Sequence, residues 1–384
     1  MQEKHSAQGR STHSMKITEV RTYLVNADHG GRSDRPHGRN WLFVKVITDE
    51  GITGVGEGGG WPEVVEAGIR ELSYFLIGEN PFDIERLWAK LYYLLHSHGL
   101  TGAVRGGVIS AIDTALWDIK GKALGVPVYE LLGGKYRDRI PVYSHASTVE
   151  RAQQLIERGI KIFKCAPSVQ VLKSLREACG DDVEIGVHCH GEFTAAAAIQ
   201  LGKACEPYRP AFFEEPTSPD DIEALAKVAE KVDIPIAAGE RLYHKWSVKD
   251  LLHRQIIDIF QPEITRIGGI TESKKTAIMC EAYGVKVAPH DGSAGPIAEV
   301  ANIHFLASIP NVAYLEHRTD DVPWRFEVVT GAVPDVNGSL EVPSRPGLGI
   351  DINEAEIAKH PPRAVSAYQY REPSPEAFQQ MRAR

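Results

Sequence analysis

Residues 211–216 read AFFEEP, and residues 236–241 read IAAGER. Each stretch joins a short apolar run to a glutamate, Glu214 in the first and Glu240 in the second. Short apolar runs that alternate with helical stretches are typical of strands in βαβ units. The two stretches therefore predict neighbouring strands of a parallel sheet.

The same pattern extends over the second half of the chain. From residue 164 onward the predicted strand ends are 23 to 27 residues apart. About eight such units close a β/α barrel, whose active site lies at the C-terminal ends of its strands. We therefore predict a β/α barrel over residues 136–344. The predicted strand ends are near His145, Lys164, His188, Glu214, Glu240, Glu263, His290 and Glu316.

A smaller α+β capping domain is predicted over residues 15–135. Residues 15–25 and 41–48 mix β-branched and aromatic residues with alternation, which indicates strands. Residues 62–124 place apolar side chains at helical spacing. The tail, residues 345–384, follows the eighth unit and is predicted to return to the capping domain.

Two polar segments are predicted to be mobile. Residues 1–14 are polar and are interpreted as a disordered leader. Residues 28–40 are rich in glycine and arginine without periodicity, which predicts a surface loop acting as a lid.

Charge and hydrophobic composition indicate which classes of partner the protein can bind. The formal net charge is -8, without a dense Lys/Arg stripe, which argues against nucleic acid as the main partner. The sequence contains no run of eighteen apolar residues, and its polar start lacks a signal-peptide core, so neither membrane insertion nor secretion is expected. The five cysteines form no CxxC pair. We expect a cytoplasmic protein that binds a small anion.

Glu214 and Glu240 follow strands that are apolar enough to be buried on both faces. Buried carboxylates need partners, and several that converge on one point create an oxygen-rich site for a Mg²⁺-like ion. The alternative is that each glutamate pairs with a neighbouring lysine or arginine.

His290 and Glu263 are predicted to be lateral neighbours, because they end adjacent strands. A carboxylate bonded to one ring nitrogen fixes the tautomer and leaves the other nitrogen as a general base. The alternative is a structural histidine. Glu316 ends the last strand and is expected near the oxygens of a bound carboxylate; its alternative is a rim salt bridge with Arg318.

Several longer stretches together resemble the enolase superfamily, in its mandelate racemase-like branch and among sugar-acid dehydratases of the galactonate and mannonate type. The likeness extends from residue 15 to about 361. It is carried by GRNWLFVKVITDEGITGVGEG (38–58), AIDTALWDIKGKALGVPVYELLGG (111–134), FFEEP (212–216), AAGER (237–241), QPEITRIGGITE (261–272), APHDGSAGP (288–296) and EVPSRPGLGI (341–350).

The resemblance implies a barrel of the enolase type, a modified TIM barrel, with an N-terminal capping domain. It also implies that Glu214 and Glu240 bind Mg²⁺, that His290 and Glu263 form the base dyad, and that Glu316 helps to stabilise an enediolate. In VHCHGEF (187–193), it implies a metal ligand at His188 and a general acid at His190.

Three positions depart from the family's pattern. His188 replaces an aspartate ligand, and imidazole suits Mn²⁺, Fe²⁺, Co²⁺ or Zn²⁺ better than Mg²⁺. Glu263 replaces the usual aspartate and has one more rotatable bond. Lys164 is followed by Cys165 and Ala166, so the second lysine of a racemase's Lys-x-Lys pair is missing.

The expected reaction is abstraction of the C2 proton of a sugar acid by His290, followed by loss of the 3-hydroxyl with help from His190. The product is a 2-keto-3-deoxy acid. Lys164 adds positive charge near the carboxylate. Two alternatives stay open: an epimerase or cycloisomerase that uses the same enediolate, and a non-catalytic protein that binds a sugar acid.

Substrate contacts are expected from the lid, from the loop near Trp61 and from His145. Within the lid, Arg39 and Asn40 are the predicted substrate-binding residues, and the alternative is that both are solvated loop residues. The other lid candidates are His29, Arg32, Arg35 and His37. The family resemblance also implies a homo-oligomer, from dimer to octamer.

Overall fold

The computed structural model describes residues 15–28 and 39–362. The predicted leader, residues 1–14, lies outside this range. So do residues 29–38, which make up most of the predicted lid, and the end of the tail, residues 363–384.

The first part of the chain forms an antiparallel sheet with helices on one side. Its three strands pair in sequence order. The helices bury Val, Ile and Leu side chains against this sheet in one core cluster. The elements are β1 (Ile17–Asn26), β2 (Asn40–Thr48), β3 (Thr53–Gly58), α1 (Pro62–Ser73), α2 (Ile84–Ser97), α3 (Gly102–Leu124) and α4 (Val128–Leu131).

Helix α3 is the central helix of this capping domain. Its C-cap, Gly125, has φ 72°, a left-handed conformation that glycine adopts at no steric cost and that ends the helix. The helix packs closely on β3, because Gly54 and Gly56 leave room for its backbone; a Cβ on either would overlap the carbonyl oxygens of Ala115 or Ala111.

Eight parallel strands form the predicted barrel. Seven of them pair in sequence order, and the eighth pairs with the first, which closes the ring. An isolated bridge pairs Val287 of the seventh strand with Val312, just before the eighth strand. The strands are β4 (Arg139–His145), β5 (Ile162–Cys165), β6 (Glu184–His188), β7 (Phe213–Glu214), β8 (Ile236–Ala238), β9 (Ile259–Phe260), β10 (Lys286–Val287) and β11 (Leu315–Glu316).

Helices surround this ring, so the predicted β/α barrel with an α+β cap is confirmed. The barrel helices are α5 (Val149–Glu157), α6 (Val169–Cys179), α7 (Ala195–Cys205), α8 (Ile222–Ala229), α9 (His244–His253), α10 (Ile264–Ile267), α11 (Gly269–Ala282) and α12 (Pro296–Ala307).

Three of the predicted strand ends lie past the hydrogen-bonded strands. β8, β9 and β10 stop two or three residues before Glu240, Glu263 and His290. Proline lacks an amide hydrogen, so Pro262 and Pro289 interrupt the ladder before the second and third of these residues. A single bridge still pairs Glu263 with His290.

The tail runs back between the barrel and the cap. It contains β15 (Asp351–Ile352) and α13 (Glu354–Ile357). Three short strands come before residue 345, and the last of them pairs with β4 of the barrel: β12 (Val329–Thr330), β13 (Asp335–Val336) and β14 (Ser339–Glu341). The Asn26 amide donates to the His360 carbonyl oxygen at 3.0 Å, and a buried cluster joins Trp41 and Phe43 of β2 to Leu348 and Ile350. The exact domain boundaries stay a prediction. No helix in the described ranges is long and apolar enough to cross a membrane.

Candidate active site

The mouth of the barrel brings together most of the residues predicted from the strand ends. Glu263 and Glu316 are fully buried, and His188, Glu240 and His290 are each 8% exposed. Parallel strands place the residues after their C-terminal ends at one edge, which explains why positions about 25 residues apart meet here.

His188, Glu214 and Glu240 form a group that could hold a metal ion. Each offers one ligand atom, and these atoms lie within 4.8 Å of one another. His188 Nε2 is 3.2 Å from Glu214 Oε1, yet it is buried without a hydrogen-bond partner among the described residues. Burial, together with the charge of Lys164, lowers the pKa of His188, which favours the neutral ring that a metal ion requires of a histidine ligand. A cation between the two atoms would relieve that contact, so the residues fit a divalent metal.

The charge balance at the site also favours a cation. Four glutamates are buried at the mouth of the barrel, Glu214, Glu240, Glu263 and Glu316, and Lys164 forms ion pairs with two of them. Lys164 Nζ is 2.7 Å from Glu214 Oε1 and 3.4 Å from Glu316 Oε1. The predicted alternative, a glutamate paired with a lysine, is therefore present at Glu214. Lys164 and a protonated His290 supply two positive charges against these four carboxylates, which leaves an excess of negative charge that a divalent ion would reduce.

His290 and Glu263 are in contact, as the sequence predicts. Glu263 Oε2 is 2.7 Å from His290 Nδ1, and His290 Nε2 is 3.1 Å from Glu240 Oε2. Burial lowers the pKa of His290, but the carboxylates of Glu240 and Glu316 outweigh it and raise that pKa to about 9. Nδ1 is thus held by Glu263, while Nε2 faces the metal-ligand group.

Glu316 is not a rim residue. His145 Nε2 lies 2.6 Å from Glu316 Oε1, and the Asp291 amide donates to Oε2 at 3.1 Å. The positive charge of Lys164 holds the pKa of Glu316 well below its usual range despite its burial. The alternative partner, Arg318, instead donates to the Gly292 carbonyl oxygen at 2.7 Å.

His190 lies beside the metal-ligand group, with its ring centroid 4.1 Å from that of His188. Its side chain is exposed, and its amide donates to Glu192 Oε2 at 2.6 Å. Partial burial lowers the pKa of His190, so an acid role requires that the charge of a bound substrate carboxylate raises this pKa.

Arg39 and Asn40 line a cavity of about 230 Å³ between the cap and the barrel. They are not solvated loop residues: Arg39 pairs with Asp321, and Asn40 Nδ2 donates to Glu63 Oε1 at 2.7 Å. Burial lowers the pKa of Arg39 to about 10. The wall also contains Trp61, Glu57, Thr265, Arg266 and Ser293.

Three buried residues beneath the site were not predicted. Gln261 Nε2 donates to Glu214 Oε2 at 2.8 Å, and Tyr143 Oη donates to Glu316 Oε2 at 3.3 Å. Thr265 donates to Glu263 Oε1 from both its hydroxyl and its amide. Gln261 and Thr265 lie two residues before and after Glu263, but β9 ends at Phe260 and Thr265 belongs to α10, so no strand period in the sequence indicated these contacts.

Comparison with known proteins matches both parts of the chain to one family. Residues 34–133 match the mandelate racemase/muconate lactonizing enzyme N-terminal domain. Residues 147–356 match the enolase C-terminal domain-like family.

Relatives of known name resemble nearly the whole chain. A D-galactonate dehydratase from Pectobacterium atrosepticum is 36% identical over 94% of this chain and 97% of its own. The structure of an enolase from Pantoea ananatis with bound D-gluconate and Mg aligns with a TM-score of 0.82 and 32% identity, over 90% of this chain and 95% of that one. The 3,6-anhydro-D-galactonate cycloisomerase from Zobellia galactanivorans aligns with a TM-score of 0.83 and 31% identity, over 90% of this chain and 99% of that one.

The matches cover the cap, the barrel and the strand ends that carry the clustered side chains. The chain therefore belongs to the mandelate racemase/muconate lactonizing enzyme family of the enolase superfamily.

Proposed function

We propose that this protein is a metal-dependent dehydratase of a sugar acid, an aldonate or a close relative. It removes the C2 proton, passes through an enediolate and eliminates the 3-hydroxyl to give a 2-keto-3-deoxy acid. The observation that carries this proposal is the His290–Glu263 pair, whose second ring nitrogen, Nε2, lies 3.1 Å from Glu240 of the metal-ligand group. The dehydratase named among the relatives, and the D-gluconate bound by a structural neighbour, support it.

His188, Glu214 and Glu240 would hold the metal, with Mg²⁺ or a transition metal such as Mn²⁺ as the ion. A divalent cation there would offset the negative charge that develops on the substrate carboxylate, and would also neutralise Glu240, whose charge contributes to raising the pKa of His290 to about 9.

His290 acts as the base through Nε2. Glu263 accepts from Nδ1, which fixes the tautomer and the ring orientation and stabilises the imidazolium formed when the proton arrives. Lys164 supplies positive charge beside the enediolate, and Glu316, whose Oε1 is 3.4 Å from Lys164 Nζ, helps to stabilise the enediolate by holding this lysine in place. His190 donates a proton to the departing 3-hydroxyl, so that water leaves.

The rest of the substrate extends into the cavity between the cap and the barrel. Arg39 and Asn40 form part of its wall, and His145 reaches the site from β4 with its side chain 49% exposed. We propose that these three residues bind the substrate's distal hydroxyls.

We also propose that the enzyme works in the cytoplasm as a homo-oligomer, from dimer to octamer. Its five cysteines are unpaired and four of them are buried, which suits a reducing compartment. Tyr74, Phe75 and Ile77 are exposed on the cap, where a second copy could cover them.

The test is a screen of purified protein, supplemented with Mg²⁺ or Mn²⁺, against hexonates, pentonates and aldarates. Semicarbazide absorbance detects the 2-keto-3-deoxy product. Turnover of one acid is the expected result and names the substrate. Absence of detectable product from every acid in the library, with both metals, would contradict the dehydratase reaction.

A cycloisomerase is the second candidate, because one structural neighbour bears that name. Both reactions begin with the same enediolate, so product analysis is required to separate them. Loss of water gives a 2-keto-3-deoxy acid and a mass decrease of one water, whereas a cycloisomerase product keeps the mass of its substrate.

The variant His290→Asn tests whether His290 is the base. His290→Asn keeps a polar side chain of similar size but has no basic nitrogen, so we expect kcat to fall at least about a thousandfold. Circular dichroism and metal content should match those of the wild type. Residual activity within about tenfold of the wild type would rule out His290 as the base.

A further inference from the structure

Thr265 contacts the carboxylate that orients the base. Its hydroxyl donates to Glu263 Oε1 at 2.8 Å, and its amide donates to the same oxygen at 3.2 Å. The other oxygen, Oε2, is 2.7 Å from His290 Nδ1. The two oxygens of Glu263 therefore have separate tasks: one is held by Thr265, and the other holds the base.

This division matters because residue 263 is a glutamate. A glutamate has one methylene more than an aspartate, so the carboxylate of Glu263 has one more rotatable bond. Fixing that bond costs conformational entropy, and a free carboxylate could turn away from His290. Two bonds from Thr265 to one oxygen remove this freedom and direct the other oxygen at Nδ1.

The surroundings of Thr265 allow little movement. Glu263 is fully buried, and Thr265 is only 3% exposed. From the cap, the Gly59 amide donates to the Thr265 carbonyl oxygen at 2.9 Å. A Cβ on Gly59 would overlap the Thr265 hydroxyl and would lie 2.8 Å from Thr265 Cβ. The docked cap thus closes over Thr265.

We propose that Thr265 is a positioning residue that lets a glutamate orient the His290 base, and that the cap holds Thr265 in place through Gly59. This inference rests on the proposed dehydratase function for its kinetic consequence. Its geometric part concerns only the contacts among Thr265, Glu263 and His290.

The kinetic test compares Thr265→Val with Thr265→Ser. Valine keeps the shape of threonine and removes the hydroxyl, whereas serine keeps the hydroxyl and removes a methyl group. Loss of a residue that orients a metal ligand typically costs about 10- to 100-fold in activity, and we take the same factor for a residue that orients a base. We expect kcat of Thr265→Val to fall by about that factor with KM within about twofold, and Thr265→Ser to stay within about threefold of the wild type.

A substrate deuterated at C2 separates positioning from partial misfolding. Slower proton abstraction makes this step limit the rate, so the isotope effect on kcat should rise in Thr265→Val. A variant that merely contains less folded enzyme would show the wild-type isotope effect. An unchanged kcat in Thr265→Val, or an equal loss in Thr265→Ser, would overturn the proposal.

Crystal structures of the two variants test the geometry without any assay. The Glu263–His290 contact should persist in Thr265→Ser and lengthen beyond hydrogen-bonding distance in Thr265→Val. An intact contact in Thr265→Val would overturn the proposal. If the wild type dehydrates no sugar acid, the proposed function fails, and these structures still decide the role of Thr265.

Discussion

His188 is the residue at which this site departs most from an oxygen-only metal site. Burial lowers the pKa of its ring, and its Nε2 lies 3.2 Å from Glu214 Oε1 without a hydrogen-bond partner among the described residues. Mg²⁺ prefers oxygen ligands, whereas Mn²⁺, Co²⁺ and Zn²⁺ accept imidazole well. One nitrogen among the protein ligands should therefore move the preference of the site away from Mg²⁺.

His188→Asp should reverse that preference. An aspartate restores a third carboxylate, so we expect the ratio of Mn²⁺ to Mg²⁺ affinity to fall by about tenfold, or about 1.4 kcal/mol. Mn²⁺ binding followed by electron paramagnetic resonance, with Mg²⁺ as competitor, measures the ratio directly. His190→Asn, on the neighbouring ring, is the matched control and should leave it unchanged. An unaltered ratio in His188→Asp would mean that His188 is not a ligand.

At the residue scale, the sequence predicts the groups that end strands and misses those that support them. Glu214, Glu240 and His290 follow apolar runs at a regular period, which a reader of the sequence can recognise. Gln261 and Thr265 are ordinary polar residues, and their importance depends on which carboxylate oxygen each one contacts. That information arises only from packing.

Among the elements, strand β6 links the barrel interior to the site. It carries His188 at its end, and Gly186 lies two residues earlier on the same face. The ring of Phe212 packs directly over Gly186, and a Cβ there would overlap it. Phe212 is fully buried against Tyr143 and Tyr314, so the ring has no space to yield.

Gly186→Ala should therefore displace β6. Overpacking a filled core costs about 1 to 3 kcal/mol, and we expect a loss of stability in that range in urea unfolding. Because the shift also moves His188, metal affinity should fall. Glu184→Ala, at the exposed start of the same strand, is the control for both measurements. Wild-type stability and metal affinity in Gly186→Ala would show that the barrel interior adapts around this position.

The regular spacing of the strands predicts that each strand exists but not the residue at which it ends. The period placed a strand near each of the eight polar residues, and all eight strands exist. It did not predict that three strands stop early, because prolines and the turn at Gly239, with φ 146°, remove the ladder hydrogen bonds there. Glu240, Glu263 and His290 follow these strands in loops. Their side-chain contacts and the single bridge between Glu263 and His290 hold them in place.

Across the whole molecule, the cap is docked by carboxylates that reach the ends of barrel helices. Glu57 of β3 accepts from the amides of Gly295 and Ala298 at the start of α12. Asp113 of α3 accepts from the Thr271 amide at the start of α11 at 2.9 Å. The first amides of a helix have no acceptor within the helix, so the side-chain oxygens of Glu57 and Asp113 satisfy them and join the two parts of the chain. The sequence predicted both parts but not how they are joined.

Both contacts should depend on pH. Burial raises the pKa of Glu57 to about 7, well above its ordinary value near 4.5. The folded protein therefore keeps a proton that the unfolded chain releases between these values. This contribution to stability is complete below about pH 4.5 and is lost as the pH rises through 7. Asp113 behaves in the same way, because burial raises its pKa to about 7 as well.

Glu57→Gln should flatten this dependence. Glutamine does not titrate, so the free energy of unfolding should change less between pH 5 and pH 8 than in the wild type, by up to about 2 to 3 kcal/mol. Unfolding is measured in a metal chelator, because metal binding has a pH dependence of its own. Glu71→Gln, exposed on α1, is the control and should keep the wild-type slope. An equal slope in Glu57→Gln would mean that Glu57 holds no such proton, and that the cap is docked on the barrel chiefly by the apolar cluster around Trp41.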